Sequence, residues 1–171
     1  MIYTLGHSTR PIEELLALLA EHAIERLVDV RRFPGSRRYP QYGREALAAS
    51  LATAGVEYRH EAGLGGRRRA APDSSNTFWR NAGFRGYADH LASPEAAAAL
   101  RALIAEAAER RLAIMCAEAV PWRCHRQLIA DALVSRGIEV VHVLAPGRSE
   151  RHQLNAHARV QGDGRLIYPQ A

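Results

Sequence analysis

This sequence predicts an α/β fold: a single domain built as a three-layer sandwich on a mainly parallel sheet. Three observations carry that prediction. Short β-prone runs alternate with helical patterns through almost the whole chain. The run Leu112 to Cys116 is apolar at successive positions, as a central parallel strand is. At 171 residues the chain can bury one core without metal or disulfide staples.

Taken in order, Ile2 to Leu5 is a β-prone run that stops at Gly6-His7-Ser8-Thr9. Ile12, Leu15, Leu16, Leu19 and Ile24 then recur at helical spacing after Pro11, with Ser8 or Thr9 as the expected cap. A strand Arg26 to Val30 ends in the charged turn-former run from Arg31 to Arg38. A helix is expected from Arg44 to Ala54, closed by Gly55, and a strand from Val56 to His60. Residues 61–83 form a long loop, of the kind that is either functional or disordered. Helical pattern resumes over 84–91, and Ser93-Pro94-Glu95 starts a helix that runs to Arg110. After the Leu112 to Cys116 strand come a helix from Trp122 to Arg136, ended by Gly137, and a strand from Ile138 to Leu144. Residues 145–171 form an extension expected to pack on the domain.

The charge is uneven. Every basic residue is arginine, and residues 31–85 hold eleven of them against four acids, while the remainder of the chain is slightly acidic. Folded onto one face, that block attracts phosphate or another polyanion. No window approaches the length of apolar chain a membrane helix needs, and no basic leader precedes an apolar run, so a cytoplasmic protein without a membrane partner is expected. The two cysteines then read as reduced thiols or ligands, not as a structural disulfide.

In parallel α/β sheets, sites form where strands end, and the polar clusters of this chain fall there. His7, Ser8 and Thr9 follow the first strand, and Asp29 and Arg31 end the second. Cys116 and Glu118 end the strand that runs into His125 and Arg126. A thiol at Cys116 would face helix N-terminal amides and guanidinium charge, which favour the nucleophilic thiolate. Rhodanese-type sulfurtransferases and phosphatases use a cysteine and an arginine bracketing a five-residue loop, but Cys116 and Arg123 bracket six residues, with no glycine among them. The spacing of Cys116, Cys124 and His125 is not that of a zinc knuckle, so no metal is assigned. Asp29 is expected to pair with a nearby arginine, because an unpaired carboxylate at the end of an apolar strand is costly. Arginines interleaved with Phe33, Tyr39, Tyr42, Phe78, Trp79 and Phe84 match the mixture that single-stranded nucleic-acid binders use.

The segments TLGHSTR, LVDVRRFPGSRRYPQY, GVEYRHEAGLGGRR, FRGYADHL and MCAEAVPWRCHRQLIADAL, with GIEVVHVL, resemble in order the domain-of-unknown-function 488 family of small α/β proteins. The resemblance implies a compact α/β domain and no established chemistry. Together the residues point to an enzyme or enzyme-like domain with a strand-end site for a phosphate-bearing or other anionic ligand, a nucleotide or nucleic acid among them. His7, Asp29, Cys116 and Glu118 are the catalytic candidates. Ser8, Thr9, Arg31, Arg38, His125 and Arg126 are the ligand-binding candidates. The cofactor is unknown. The rival readings are a non-catalytic nucleic-acid-associated module and a thiol enzyme using Cys116.

Overall fold

The computed structural model describes residues 1–170. Six strands form one sheet: β1 (Ile2–Gly6), β2 (Arg26–Asp29), β3 (Glu57–His60), β4 (Leu112–Cys116), β5 (Val140–Ala145) and β6 (Arg148–Arg151). Their spatial order is β3-β2-β4-β1-β5-β6. All neighbours are parallel except β5 and β6, which pair antiparallel. The chain leaves β1, skips one slot to build β2 and β3, and returns to fill the gap with β4. The carboxyl ends of β2, β4 and β1 therefore lie side by side where the winding reverses, the position at which such sheets open a crevice.

The period-2 alternation of the strands divides the core in two. Tyr3, Leu5, Leu27, Ala113 and Met115 face helices α1 (Ile12–Glu21) and α2 (Arg44–Thr53), packing with Leu15, Leu19, Leu47 and Leu51. Ile2, Val28, Leu112, Ile114 and Cys116 face the opposite layer. That layer is α3 (Ala82–Leu91), α4 (Pro94–Glu109) and α5 (Arg126–Val134), contributing Tyr87, Leu100, Leu103, Leu128 and Leu133. The result is the three-layer sandwich the alternating pattern predicts. No helix among the described residues is long and apolar enough to cross a membrane.

Local chemistry sets several boundaries as expected. Ser93 Oγ accepts from Ala96 N at the start of α4, and Gly55 and Gly137 take positive φ just beyond α2 and α5. Two boundaries differ. Neither Ser8 nor Thr9 caps α1: its N-cap is Pro11, and no side chain bonds to that end. Ser8 lies three residues upstream at φ 47, in a turn closed by Arg10 N donating to His7 O. α5 starts at Arg126, not Trp122, because a 3-10 turn over Pro121–Arg123 is followed by Cys124 in extended conformation, φ −135 and ψ 153. That break in the helix turns the Cys124 thiol inward.

The irregular segment before α3 is tied down by Asp89, which accepts from Ala71 N, Ser74 Oγ and Asn76 Nδ2. Near the C-terminus a small ribbon pairs β7 (Arg159–Val160) with β8 (Leu166–Ile167). Buried Tyr168 follows it, donating from its backbone N–H to Asn76 Oδ1 and from its hydroxyl to Asp131 Oδ2.

Candidate functional site

A cleft of about 790 Å³ opens over the ends of β1, β2 and β4. Its walls bring together nearly every residue singled out from the sequence: His7, Ser8, Thr9, Arg31, Arg38, Cys116, Glu118 and His125. Arg32, Arg67 and Arg123 join Arg31 and Arg38, so the lining carries five arginines against one carboxylate, Glu118. Phe33, Tyr39, Phe84 and Tyr87 add aromatic surface. Phe33 is exposed, with the Arg32 guanidinium 5.3 Å from its ring centroid, and Arg38 lies 5.7 Å from that of Tyr39.

Backbone geometry makes the cleft. Gly6 ends β1 so close to the 117–119 turn that a Cβ there would meet Glu118 O at 1.6 Å. Gly66 lies against the His125 ring, where a Cβ would fall 3.1 Å from Nδ1. Ser8 and Arg67, both on the cleft wall, take positive φ, the kind of local strain that collects at functional sites.

Asp29 is fully buried and fully occupied. Arg31 Nε donates to its Oδ1 at 2.9 Å and Arg31 Nη2 to its Oδ2 at 2.7 Å, and the Tyr58 hydroxyl adds a bond to Oδ2 at 2.6 Å. Asp29 therefore positions Arg31 and offers no free base. Arg31 keeps its Nη1 edge beside His7 Nε2 at 3.5 Å. His7 Nδ1 lies 2.9 Å from Ser8 O, so that nitrogen carries the proton and Nε2 holds the lone pair. The His7 ring is stacked on Tyr42, and burial holds its pKa below that of a free imidazole, so it is neutral near pH 7.

The thiols occupy the floor. Cys116 Sγ and Cys124 Sγ are 2.7 Å apart, and both residues are buried. Arg126 N donates to Cys124 Sγ at 3.5 Å, and His125 Nδ1 is 3.4 Å from the same sulfur. His125 Nε2 lies 3.1 Å from Val30 O and must donate to it, which leaves Nδ1 as a lone pair facing the thiol. Burial and the contact with Cys124 push the Cys116 thiol well above its ordinary pKa. Burial also acts upward on Cys124, but the hydrogen bond with Cys116 and the Arg126 charge and N–H outweigh it and hold its pKa below that of a free thiol.

Arg126 does not reach the cleft as an anion holder. Its side chain is completely buried beneath the floor. Nη1 donates to Thr4 Oγ1 at 2.9 Å, and Nη2 donates to Glu118 O at 2.7 Å and Ala119 O at 3.3 Å. Its Nε has no partner. Beyond Thr4 a largely buried relay runs through His142, His152 and Asp131 at 2.6, 2.8 and 2.7 Å, ending on Tyr168. His60, from edge strand β3, bonds Arg31 O and supports the arginine from outside the cleft. No group of three or more His, Cys, Asp or Glu side chains able to hold a metal occurs among the described residues.

Sequence reasoning missed Cys124 as the more acidic thiol, and it missed Arg32, Arg67 and Arg123 as cleft residues. Their proximity arises from the extended backbone at Cys124 and from the fold of the long loop, neither of which has a periodic signal. The buried relay was equally silent, because Thr4 and His142 sit inside apolar runs and read as ordinary strand positions.

The fold and the site together define an α/β domain with a cationic cleft at its strand ends. The chain belongs to the family described as Domain of unknown function DUF488, whose model matches residues 11–133. The match takes in β2, β4 and most of α5, and stops short of the His7 turn at one end and of β5 at the other. No curated protein and no solved structure matches the chain.

Proposed function

We propose that this protein is an enzyme or enzyme-like domain whose strand-end cleft takes a phosphate-bearing ligand with a flat ring, a nucleotide in the simplest case. The observation that carries the reading is the charge of the lining. Once Arg31 is offset by Asp29, Arg32, Arg38, Arg67 and Arg123 remain against Glu118 alone. Arg31 still presents the Nη1 edge of a guanidinium held rigid by a buried carboxylate, a preorganised donor for an anion. Phe33 and Tyr39, each beside an arginine, provide stacking surfaces for a ring. His7, neutral with Nε2 unprotonated, is the acid/base group within the cleft. Glu118, exposed at the rim, is the second. Ser8 and Thr9 contribute hydroxyl donors.

The test is calorimetric titration with nucleoside triphosphates, the matching nucleoside and inorganic pyrophosphate at two salt concentrations. The nucleotide should bind more tightly than the nucleoside, with affinity falling as salt rises. Arg38→Gln with Arg67→Gln should weaken it by about tenfold or more. Equal affinities for nucleotide and nucleoside overturn the reading. The exposed Phe33 at the mouth favours a second reading, a non-catalytic module that holds a single strand. That reading requires an oligonucleotide to bind far more tightly than a mononucleotide, with a steep salt slope.

A further inference from the structure

Two facts beneath the cleft belong together. Arg126 is a fully buried guanidinium that makes no salt bridge to a carboxylate among the described residues, and one of its nitrogens is unpartnered. A buried cation without a counter-anion is costly. A group able to supply the charge is the Cys124 thiol, which interacts with the Arg126 guanidinium, accepts the backbone N–H of this same residue and is in contact with Cys116. Cys124 also stands just before the nine-residue helix α5, whose N-terminal end favours negative charge. Cys116 ends a core strand, and its sulfur has Cys124 Sγ and Glu118 O as its hydrogen-bonding partners.

We infer that Cys116 and Cys124 are a working dithiol, with Cys124 the attacking thiolate and Cys116 the resolving thiol, and that the pair reduces small anionic organic disulfides bound in the cleft. The inference rests on the cleft being an anion site, as proposed above. Cys124 reacts in its thiolate form, its proton lost to solvent and Arg126 serving as the counter-cation. It attacks one sulfur of the bound disulfide RS–SR. The S–S bond breaks, RS⁻ departs with the electron pair, and a Cys124–S–SR bond forms. Cys116 Sγ then attacks Cys124 Sγ and gives its proton to a departing thiolate. The second RS⁻ leaves and a Cys116–Cys124 disulfide remains. The protein dithiol has lost two electrons, and the small disulfide has become two thiols. The contact between the sulfurs places the resolving atom at the bond it must attack. The arginines above select for negative charge on R.

The experiment uses the reduced full chain and one equivalent of 5,5′-dithiobis(2-nitrobenzoate), an anionic aromatic disulfide. Release of two equivalents of the coloured thiolate per chain, with no adduct retained and a Cys116–Cys124 cross-link found by peptide mass spectrometry, is the expected result. Cys116→Ser should release one equivalent and keep the adduct on Cys124. Cys124→Ser should slow the reaction by more than about tenfold. The rate of the parent should rise with pH through an inflection near that of an activated thiol, below that of free cysteine. An adduct retained on the parent chain, or one that forms on Cys116 first, overturns the inference, and the mass spectrum reads both on the unmutated protein. The two readings separate through Arg38→Gln with Arg67→Gln. These changes should slow the anionic reagent by about tenfold or more relative to neutral 2-hydroxyethyl disulfide. If both reagents are unaffected while the cross-link still forms, the anion-site reading and the selection for anionic disulfides fail together, and the thiol assignment alone stands.

Discussion

Replacing Gly6 with alanine tests whether the close approach of β1 to the 117–119 turn holds the site together. The added Cβ would meet Glu118 O at 1.6 Å, and ordinary contact begins near 3.4 Å, so the turn must retreat by about 1.8 Å. The obstacle is backbone, which cannot rotate away as a side-chain tip can. A retreat of that size breaks the bond from Ser8 N to Ala117 O, 2.9 Å, and the bond from Arg126 Nη2 to Glu118 O, 2.7 Å. Overpacking costs about 1–3 kcal/mol, and the broken bonds add about 1 kcal/mol or more each, for a total of about 3–5 kcal/mol. In a chain of this size that lowers the melting temperature by roughly 10 °C. Differential scanning calorimetry of Gly6→Ala beside Gly35→Ala makes the comparison. Gly35 has nothing within 4 Å of its Cβ position and no positive φ, so its alanine variant should melt within a degree or two of the parent. A Gly6→Ala protein that unfolds within about 1 kcal/mol of the parent would show that the turn is not built on this contact.

Other consequences can be measured on the same protein. Asp29→Asn removes the carboxylate that holds Arg31 from two sides, and urea unfolding should show a loss of about 3–5 kcal/mol, since the buried guanidinium is left uncompensated. Tyr168→Phe strips one bond from buried Asp131 Oδ2 and should cost about 1–3 kcal/mol by the same assay. Burial, with the neighbouring His152 and Arg126, pushes the His142 pKa down to about 3, from 6.5 in an unfolded chain. The unfolded state therefore binds the extra proton between those values. His142 contributes stability that is complete above pH 6.5 and is lost as pH falls toward 3. Urea midpoints measured at pH 7 and pH 5 should differ less in His142→Gln than in the parent. A pH dependence as steep in the variant as in the parent would rule out this histidine as the source.

Much of the site was legible because α/β topology gathers strand ends. Gly6-His7-Ser8, Asp29-Val30-Arg31 and Cys116-Ala117-Glu118 are far apart in the chain, yet each stands where an apolar run stops. A parallel sheet places those stops on one edge. The pairing of Asp29 was equally readable, since burial of a carboxylate demands a partner and Arg31 lies two residues away. Arg126 was read as an anion holder because polarity in sequence says nothing about depth. Its two Nη groups are instead bound beneath the floor by Thr4 and by two carbonyls of the 117–119 turn.

The sequence by itself determined the layer architecture, through hydrophobic periodicity, and the strand ends at which polar groups collect. It also determined that the positive charge is concentrated in residues 31–85. Tertiary structure alone decided which of those charges face the cleft and which of the two cysteines is acidic. Periodicity is a local property that survives in one dimension. The acidity of a thiol depends on what approaches it in three: an extended residue at Cys124, the amide and guanidinium of Arg126, and the sulfur of Cys116 arriving from a strand eight residues earlier.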